Sequence, residues 1–298
     1  MENIWQTIWK YQKLKSLPKN NMKKLLFFIL IIHFFMDTNA QNFKLMTYNL
    51  RYDNPKDSAN NWQFRKEEVA KMIQKHSPDL LGTQEGKINQ INELANLIPE
   101  YFWIGVGRDD GKESGELMAI FYKKDRLEML DHGHFWLSDQ PEIAGSRAWE
   151  SACARMVTWA KFKDKQSEKI FFHFNSHFDH QSSKARKESA HLLKQRISDI
   201  SQGEFSFFTA DLNLNPSDSV YPILQTFLND FRLSATKVQH RNSTFNDFVG
   251  LQAGVLIDFV GTTDQNIKAN FFVVDESKKA DGRFPSDHFP IVVELVLN

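Results

Sequence analysis

The strongest constraint on this chain is a recurrence: apolar, aromatic-rich runs of strand length that stop in a short polar cluster. FKLMTYNLRY, ELMAIFY, MVTWAKF, KIFFHFNSHF, EFSFFTADLN, VLIDFVGT, IKANFFVV and HFPIVVELVL all read as strands. Between them, apolar residues at helical spacing predict helices around Phe64 to His76, around Ile88 to Leu97 and after Ser182. In the last, Ala185, Ser189, Leu192, Leu193, Ile197 and Ile200 share one face, and Lys184, Arg186, Lys187 and Lys194 lie largely off it as a solvated face. Residues 41 to 298 contain no Pro/Gly/Ser-rich linker, so the mixed order of elements reads as one α/β domain. A chain of 298 residues, 41% hydrophobic and 13% aromatic, can bury such a core and is neither disordered nor fibrous.

The polar clusters read TYNLR, GTQE, the GE before LMAIFY, NSH, ADLN, IDF and SDH. Singly each has a bland explanation: Asn49 as a turn residue, Glu85 as a helix cap, Asp258 as a buried hydrogen-bonded acid. Seven such clusters at strand termini point instead to one shared site. Within FNSHFDH, strand alternation places Asn175, His177 and Asp179 on one side and Ser176, Phe178 and His180 on the other, so the two histidines do not share a metal. Zinc would want further nitrogen or sulfur ligands, and the single cysteine, Cys153, reads as a buried structural thiol that also excludes an internal disulfide. Glu85, Asp211 and Asp287 with Asn49 and Asn213 form an oxygen-rich set, which suits Mg²⁺, or Mn²⁺, bridging to a phosphate.

In this order the motifs MTYNLR, GTQE, GE, NSH, ADLN, IDF and SDHFP resemble the endonuclease/exonuclease/phosphatase superfamily over nearly all of residues 43 to 298. The resemblance implies a four-layered α/β sandwich with two central, mostly antiparallel β-sheets. It implies Glu85 as the main metal-binding carboxylate, Asn49 beside metal and phosphate, and Asp287 touching a second metal position. It further implies Asp211 as the residue that positions or activates water, Asn213 as a phosphate holder, and His288 at the scissile phosphate, oriented by Asp258. His177 resembles the second histidine of deoxyribonuclease-like members and Glu116 the carboxylate paired with it, while Asn175, on the same catalytic face, is expected to bind substrate. Either Asp211 or His288 is eligible as general base. The glycine usual before the aspartate is Ala210 here, which asks only for ordinary backbone at that position. Arg155 is a candidate phosphate-binding guanidinium. Trp136 and Trp149 are read as core or rim packing rather than as stacking surfaces for substrate.

Met22 to Ala40, MKKLLFFILIIHFFMDTNA, reads as a secretory signal with cleavage after Ala40, and residues 1 to 21 as an upstream extension or long n-region. The apolar run is short for a bilayer span, so an exported protein, periplasmic or extracellular and without a membrane span after cleavage, is expected. Residues 1 to 40 hold six lysines against Glu2 and Asp37, so their removal takes the formal net charge from 0 to −4. That balance leans away from nucleic acid, although a local basic groove would still permit it. The expectation is a monomeric, Mg²⁺-dependent phosphoesterase acting on a small-molecule, sugar or lipid phosphoester. A nuclease or 3′-5′ exonuclease on RNA or DNA is the second reading, and a binding protein that keeps the fold without turnover is the third.

Overall fold

The computed structural model describes residues 42–239, 242–252 and 254–297; the expected signal and upstream extension, residues 1–40, lie outside them. In chain order the elements are β1 (Asn42–Asn49), α1 (Lys66–His76), β2 (Leu80–Gln84), β3 (Gly86–Lys87), α2 (Ile88–Leu97), β4 (Tyr101–Ile104), β5 (Glu116–Leu117), β6 (Ile120–Lys123), β7 (Leu127–Trp136), β8 (Met156–Asp164) and β9 (Ile170–His177). There follow α3 (Ser183–Ser201), β10 (Ser206–Asp211), α4 (Tyr221–Gln225), β11 (Asn229–Asp230), α5 (Phe231–Ser234), β12 (Lys237–Gln239), β13 (Asp258–Thr262), β14 (Ala269–Val274) and β15 (Ile291–Val296).

Two large sheets result, with strand orders β12-β14-β15-β1-β2-β6-β4 and β11-β13-β10-β9-β8-β7. Among the described residues, only β1–β2, β9–β10 and β12–β14 pair in parallel; the other pairs are antiparallel. Helices α1 and α2 cover the outer face of the first sheet, where Val69, Ile73, Ile91 and Leu94 meet Met46, Tyr48 and Leu81. Helices α3 and α4 cover the second, through Leu193, Ile197 and Leu224 against Phe172, Phe174 and Phe208. This is the expected four-layered sandwich. Helix α3 starts where expected because the Ser182 side chain accepts from Ala185 N at 3.0 Å, satisfying one of its free N–H groups.

Alternation along the strands gives the two sheets inner faces with a gradient. Inward residues run Phe43, Leu45, Thr47, Asn49 on β1 and Phe171, His173, Asn175, His177 on β9; on β10 they run Phe207, Thr209, Asp211. One end of the interior is therefore aromatic. Phe43 lies 5.6 Å from Phe171 and 5.7 Å from Phe207, and each such ring contributes roughly 1.5–3 kcal/mol by burial. The other end is polar and needs internal hydrogen bonds: Gln84 Nε2 donates to Asn175 Oδ1 at 2.7 Å, and Thr209 Oγ1 donates to the same oxygen at 3.0 Å. Gly82 lets the sheets approach there, since a Cβ at that position would lie 2.6 Å from Asn175 Oδ1. Asn175 is fully buried, and its Nδ2 donates to Thr83 O and Ala119 O at 2.8 and 3.0 Å.

Among the described residues no helix is long and apolar enough to cross a membrane.

Candidate active site

The polar ends of both sheets open into a cavity of about 560 Å³ lined by Glu85, Glu116, Arg155, His177, Asp211, Asn213, Asp287 and His288, among others. Register explains the convergence. His177 on β9 is the parallel partner of Asp211 on β10, and Asp211 is the antiparallel partner of Asp258 on β13. One cross-strand row thus carries three of the expected groups. From the first sheet, Asn49 closes β1 and Glu85 follows β2, while Ser286 Oγ donates to Asn49 O at 2.7 Å and fixes the segment that carries Asp287 and His288.

Asn49 stands behind the cavity. Its Nδ2 donates to Glu85 Oε1 at 3.1 Å and to Asp211 Oδ2 at 2.9 Å, while its Oδ1 accepts from Arg51 N. It clamps two carboxylates from different sheets, and so stands beside the acids of the expected metal site. Asn175 is a correction: all its hydrogen-bonding capacity is used between the sheets, so it does not bind substrate. The reason lies in the strand, whose inward residues face the opposing sheet until the last one, His177, reaches the rim.

His288 donates from Nδ1 to Asp258 Oδ2 at 2.9 Å. Burial works against its charge, but Asp258 and Asp211 outweigh it and hold the imidazole pKa well above the ordinary value, so His288 is a cation. Its Nε2 faces Asp211 Oδ2 at 3.7 Å. His177 behaves differently. Asn213 Nδ2 donates to Phe178 O at 3.1 Å and faces His177 Nε2 at 2.8 Å. A carbonyl only accepts, so Nε2 is the acceptor from that amide and the ring hydrogen sits on Nδ1. Burial, with Arg155 and Arg108 close by, pushes the His177 pKa well down, and the ring is neutral.

Two pairings from the sequence are refined accordingly. Glu116 faces His177 as expected, its Oε2 3.9 Å from Nδ1, but it makes no direct hydrogen bond there and accepts one from Arg108 Nη1. Asn213 orients His177 with the amide expected to hold phosphate, although its side chain still borders the cavity. The alternation across FNSHFDH also ends early, because β9 stops at His177. Beyond it Asp179 is buried and accepts from the backbone N–H groups of Ala152, Gln181 and Ser182. His180 turns back to line the cavity, its Nδ1 2.9 Å from Arg155 Nη2.

Burial raises Asp211 to about 7, with Asp258 adding to the effect against His288. Burial likewise raises Asp287 to about 6, with Glu85 adding. Glu85 is held low: burial is outweighed by His288 and by hydrogen bonds from Asn49 and Tyr52. Acids crowded out of water in this way need a cation. Glu85 and Asp211 offer ligand oxygens within 4.8 Å of one another, and Asp287 adds a further oxygen on the same cavity. The oxygen-dominated donor set fits a hard divalent ion.

Sequence reasoning missed Arg51, Tyr52, Arg108, Cys153, Phe245, Asp247, Val255 and Ile257 at this cavity. Arg51 stood inside the quoted TYNLR, and a φ of 54° turns it back beside Asp287, 3.6 Å from its carboxylate. Arg108 sits in GVGRDDGKESGE, where Gly111 and Gly115 take φ of 69° and 84° and fold the loop over Asp110. Trp136 is buried and donates to Arg108 O at 2.6 Å, so it packs and props that loop. Cys153 is half-buried at the rim rather than a core thiol. Ala210 lies fully buried within β10, as ordinary strand backbone allows.

A four-layered sandwich with acids, amides and histidines gathered at one end of both sheets is the architecture of a class of phosphoester hydrolases. The chain belongs to the Endonuclease/Exonuclease/phosphatase family, whose sequence profile matches residues 46–288. It is similar to an endonuclease/exonuclease/phosphatase of Bacteroides vulgatus, with 39% identity, TM-score 0.82, 87% of this chain and 100% of that one. It is also similar to the Bacteroides thetaiotaomicron mannosyl-6-phosphatase, with 34% identity, TM-score 0.80, 86% of this chain and 100% of that one. An uncharacterised protein of Acanthamoeba polyphaga mimivirus is 26% identical over 194 residues, 53% of this chain; the match spans only 28% of that longer protein.

Proposed function

We propose that the protein is an exported, Mg²⁺-dependent phosphoesterase acting on a small phosphorylated molecule, a sugar phosphate or lipid headgroup before a nucleic acid. The observation that carries this reading is the opposition, across one cavity, of a crowd of buried acids and a cationic His288 held by Asp258. Similarity to the mannosyl-6-phosphatase supports a sugar phosphate. Glu85 and Asp287, with Asn49 beside them, would hold the ion. When bound, it neutralises the phosphate oxygens that otherwise repel an incoming hydroxide.

The remaining chemistry falls to the side chains. Asp211, raised toward neutrality, accepts a proton from water attacking phosphorus in line, while the P–O bond breaks on the opposite side and the leaving alkoxide takes a proton from solvent to become the alcohol. His288 donates a hydrogen bond to the phosphoryl group and keeps its charge through Asp258. His177, neutral and steadied by Asn213, adds a donor from Nδ1. In the test, residues 41–298 are incubated with Mg²⁺ or Mn²⁺ and a panel of phosphomonoesters, phosphodiesters, phospholipids, RNA and DNA. Turnover should be abolished by chelation and fall by roughly 10²–10⁴ in Glu85→Ala and His288→Ala. Undiminished turnover in those variants would remove the site, and RNA or DNA as the best substrate would reverse the substrate reading. N-terminal sequencing of exported protein should begin at Gln41.

A further inference from the structure

The wall formed by Arg155 does more than add positive charge. Arg155 is only 4% exposed, yet of its nitrogens Nη2 alone is hydrogen-bonded, to His180 Nδ1. Its Nε and Nη1 have no hydrogen-bond partner. Asp179, 3.6 Å from Nε, already accepts three backbone N–H groups and does not absorb the remaining donors. His177 Nδ1, on the same cavity, is likewise without a hydrogen-bond partner. Buried donors left this way cost about 1–3 kcal/mol each, so a wall that keeps several is built for an acceptor that arrives with the ligand. Cys153, Asp179 and His180 have a spacing that a metal could use, but the Arg155 guanidinium lies against both the Asp179 carboxylate and the His180 nitrogen, which disfavours a cation there.

The wall is only partly closed, because half-buried Cys153 and exposed His180 line the cavity beside Arg155. Ala154, Arg155, His177 and Asp179 are all buried, whereas Tyr52, Val255 and Ile257 border the cavity half-exposed. The buried donors therefore suit a charged phosphoryl oxygen, and an organic substituent on phosphorus is left to the open parts of the rim.

We propose that Arg155 and His177 Nδ1–H supply the donors for the third nonbridging oxygen of a phosphate monoester, so that the enzyme prefers monoesters to diesters. This rests on the phosphoesterase reading above and names its substrate class. A diester would place an ester group, uncharged and bulky, against the buried guanidinium.

The test is calorimetric titration of residues 41–298 in Mg²⁺ at pH 8 with inorganic phosphate and with dimethyl phosphate, alongside hydrolysis of p-nitrophenyl phosphate and bis(p-nitrophenyl) phosphate. Wild type should bind phosphate at least about 100-fold more tightly than dimethyl phosphate and turn over the monoester preferentially. Arg155→Met should lose about 10- to 100-fold in phosphate affinity while leaving dimethyl phosphate little changed. Equal affinity of wild type for the two anions, or a preference for the diester, overturns the proposal. So does an Arg155→Met protein, folded by circular dichroism, that binds phosphate as wild type does. If that variant does not fold, the wild-type comparison still decides. Selective phosphate binding without hydrolysis of either ester would defeat the phosphoesterase reading and leave the role of these donors standing.

Discussion

Replacing Arg65 by methionine tests how the rim of the cavity is held. Arg65 is 1% exposed and makes no hydrogen bond to a carboxylate. Its Nε donates to Asn60 O at 2.9 Å and its Nη2 to Arg51 O at 2.5 Å, while Nη1 donates to Leu50 O and, at 3.3 Å, to Pro285 O. The guanidinium thereby ties the loop after β1 to the segment before Asp287, and it rests 5.0 Å over the Trp62 ring. Burial lowers its pKa to about 10, so it stays charged at neutral pH. Methionine keeps much of the apolar stem but leaves four carbonyls without their donor. At about 1 kcal/mol for each lost bond, Arg65→Met should cost about 4 kcal/mol. For a domain of this size that is a fall in Tm of about 8–16 °C, read by scanning calorimetry on residues 41–298. Arg65→Lys, which keeps the charge but reaches fewer carbonyls, should fall between. A Tm within about 3 °C of wild type for the methionine variant would refute the assignment of Arg65 as the latch.

Three other outcomes follow from the same geometry. Gly82→Ala should lower stability by roughly 1–3 kcal/mol by crowding Thr209 and Asn175, and adding Thr209→Ala should restore part of the loss in thermal melts. Asp211 has its folded pKa raised to about 7, so its contribution is favourable at low pH and lost as pH rises through that value. In chelator above pH 7, Asp211→Asn should therefore melt higher than wild type; an equal or lower Tm would count against the charge crowding. Asp275 shows the opposite sign. Burial is outweighed by hydrogen bonds from His76 and Lys75, which hold its pKa well below the ordinary range, so its stabilisation is present above about pH 4 and fades below it. The Tm gap between wild type and Asp275→Asn should be open at pH 7 and narrow toward pH 3.

Much of the sandwich was legible because its central strands are long and bury both faces. Each of the eight expected runs contains a strand, but ELMAIFY divides. Its first two residues pair with Gly86–Lys87, and Ile120–Lys123 joins the first sheet beside β2. Three strands of four residues or more were not foreseen. β2 is five residues with a glycine inside, and β4 is a four-residue edge. β7 carries Asp131, His132, Gly133 and His134 on an edge, and a register shift between Met129 and Asp131 breaks its alternation. At the site, motif order located the acids and histidines. Hydrogen-bond direction was invisible: it decides that Asn175 bridges sheets, that Asn213 serves His177, and that Arg108 takes Glu116. Such assignments depend on which residue across the sheet faces which, and a single strand's pattern says nothing of its neighbour.

The position of β15 has a consequence for incomplete chains. This last strand lies between β14 and β1, and His288 precedes it by three residues. A polypeptide lacking it would possess Glu85, His177 and Asp211 in sequence, yet β1 would have no neighbour on that side. The stretch from His288 to Val296 therefore supplies a central strand and the proposed catalytic histidine together. Truncated forms should be inactive as a class, with no graded loss of activity as the end is shortened into β15.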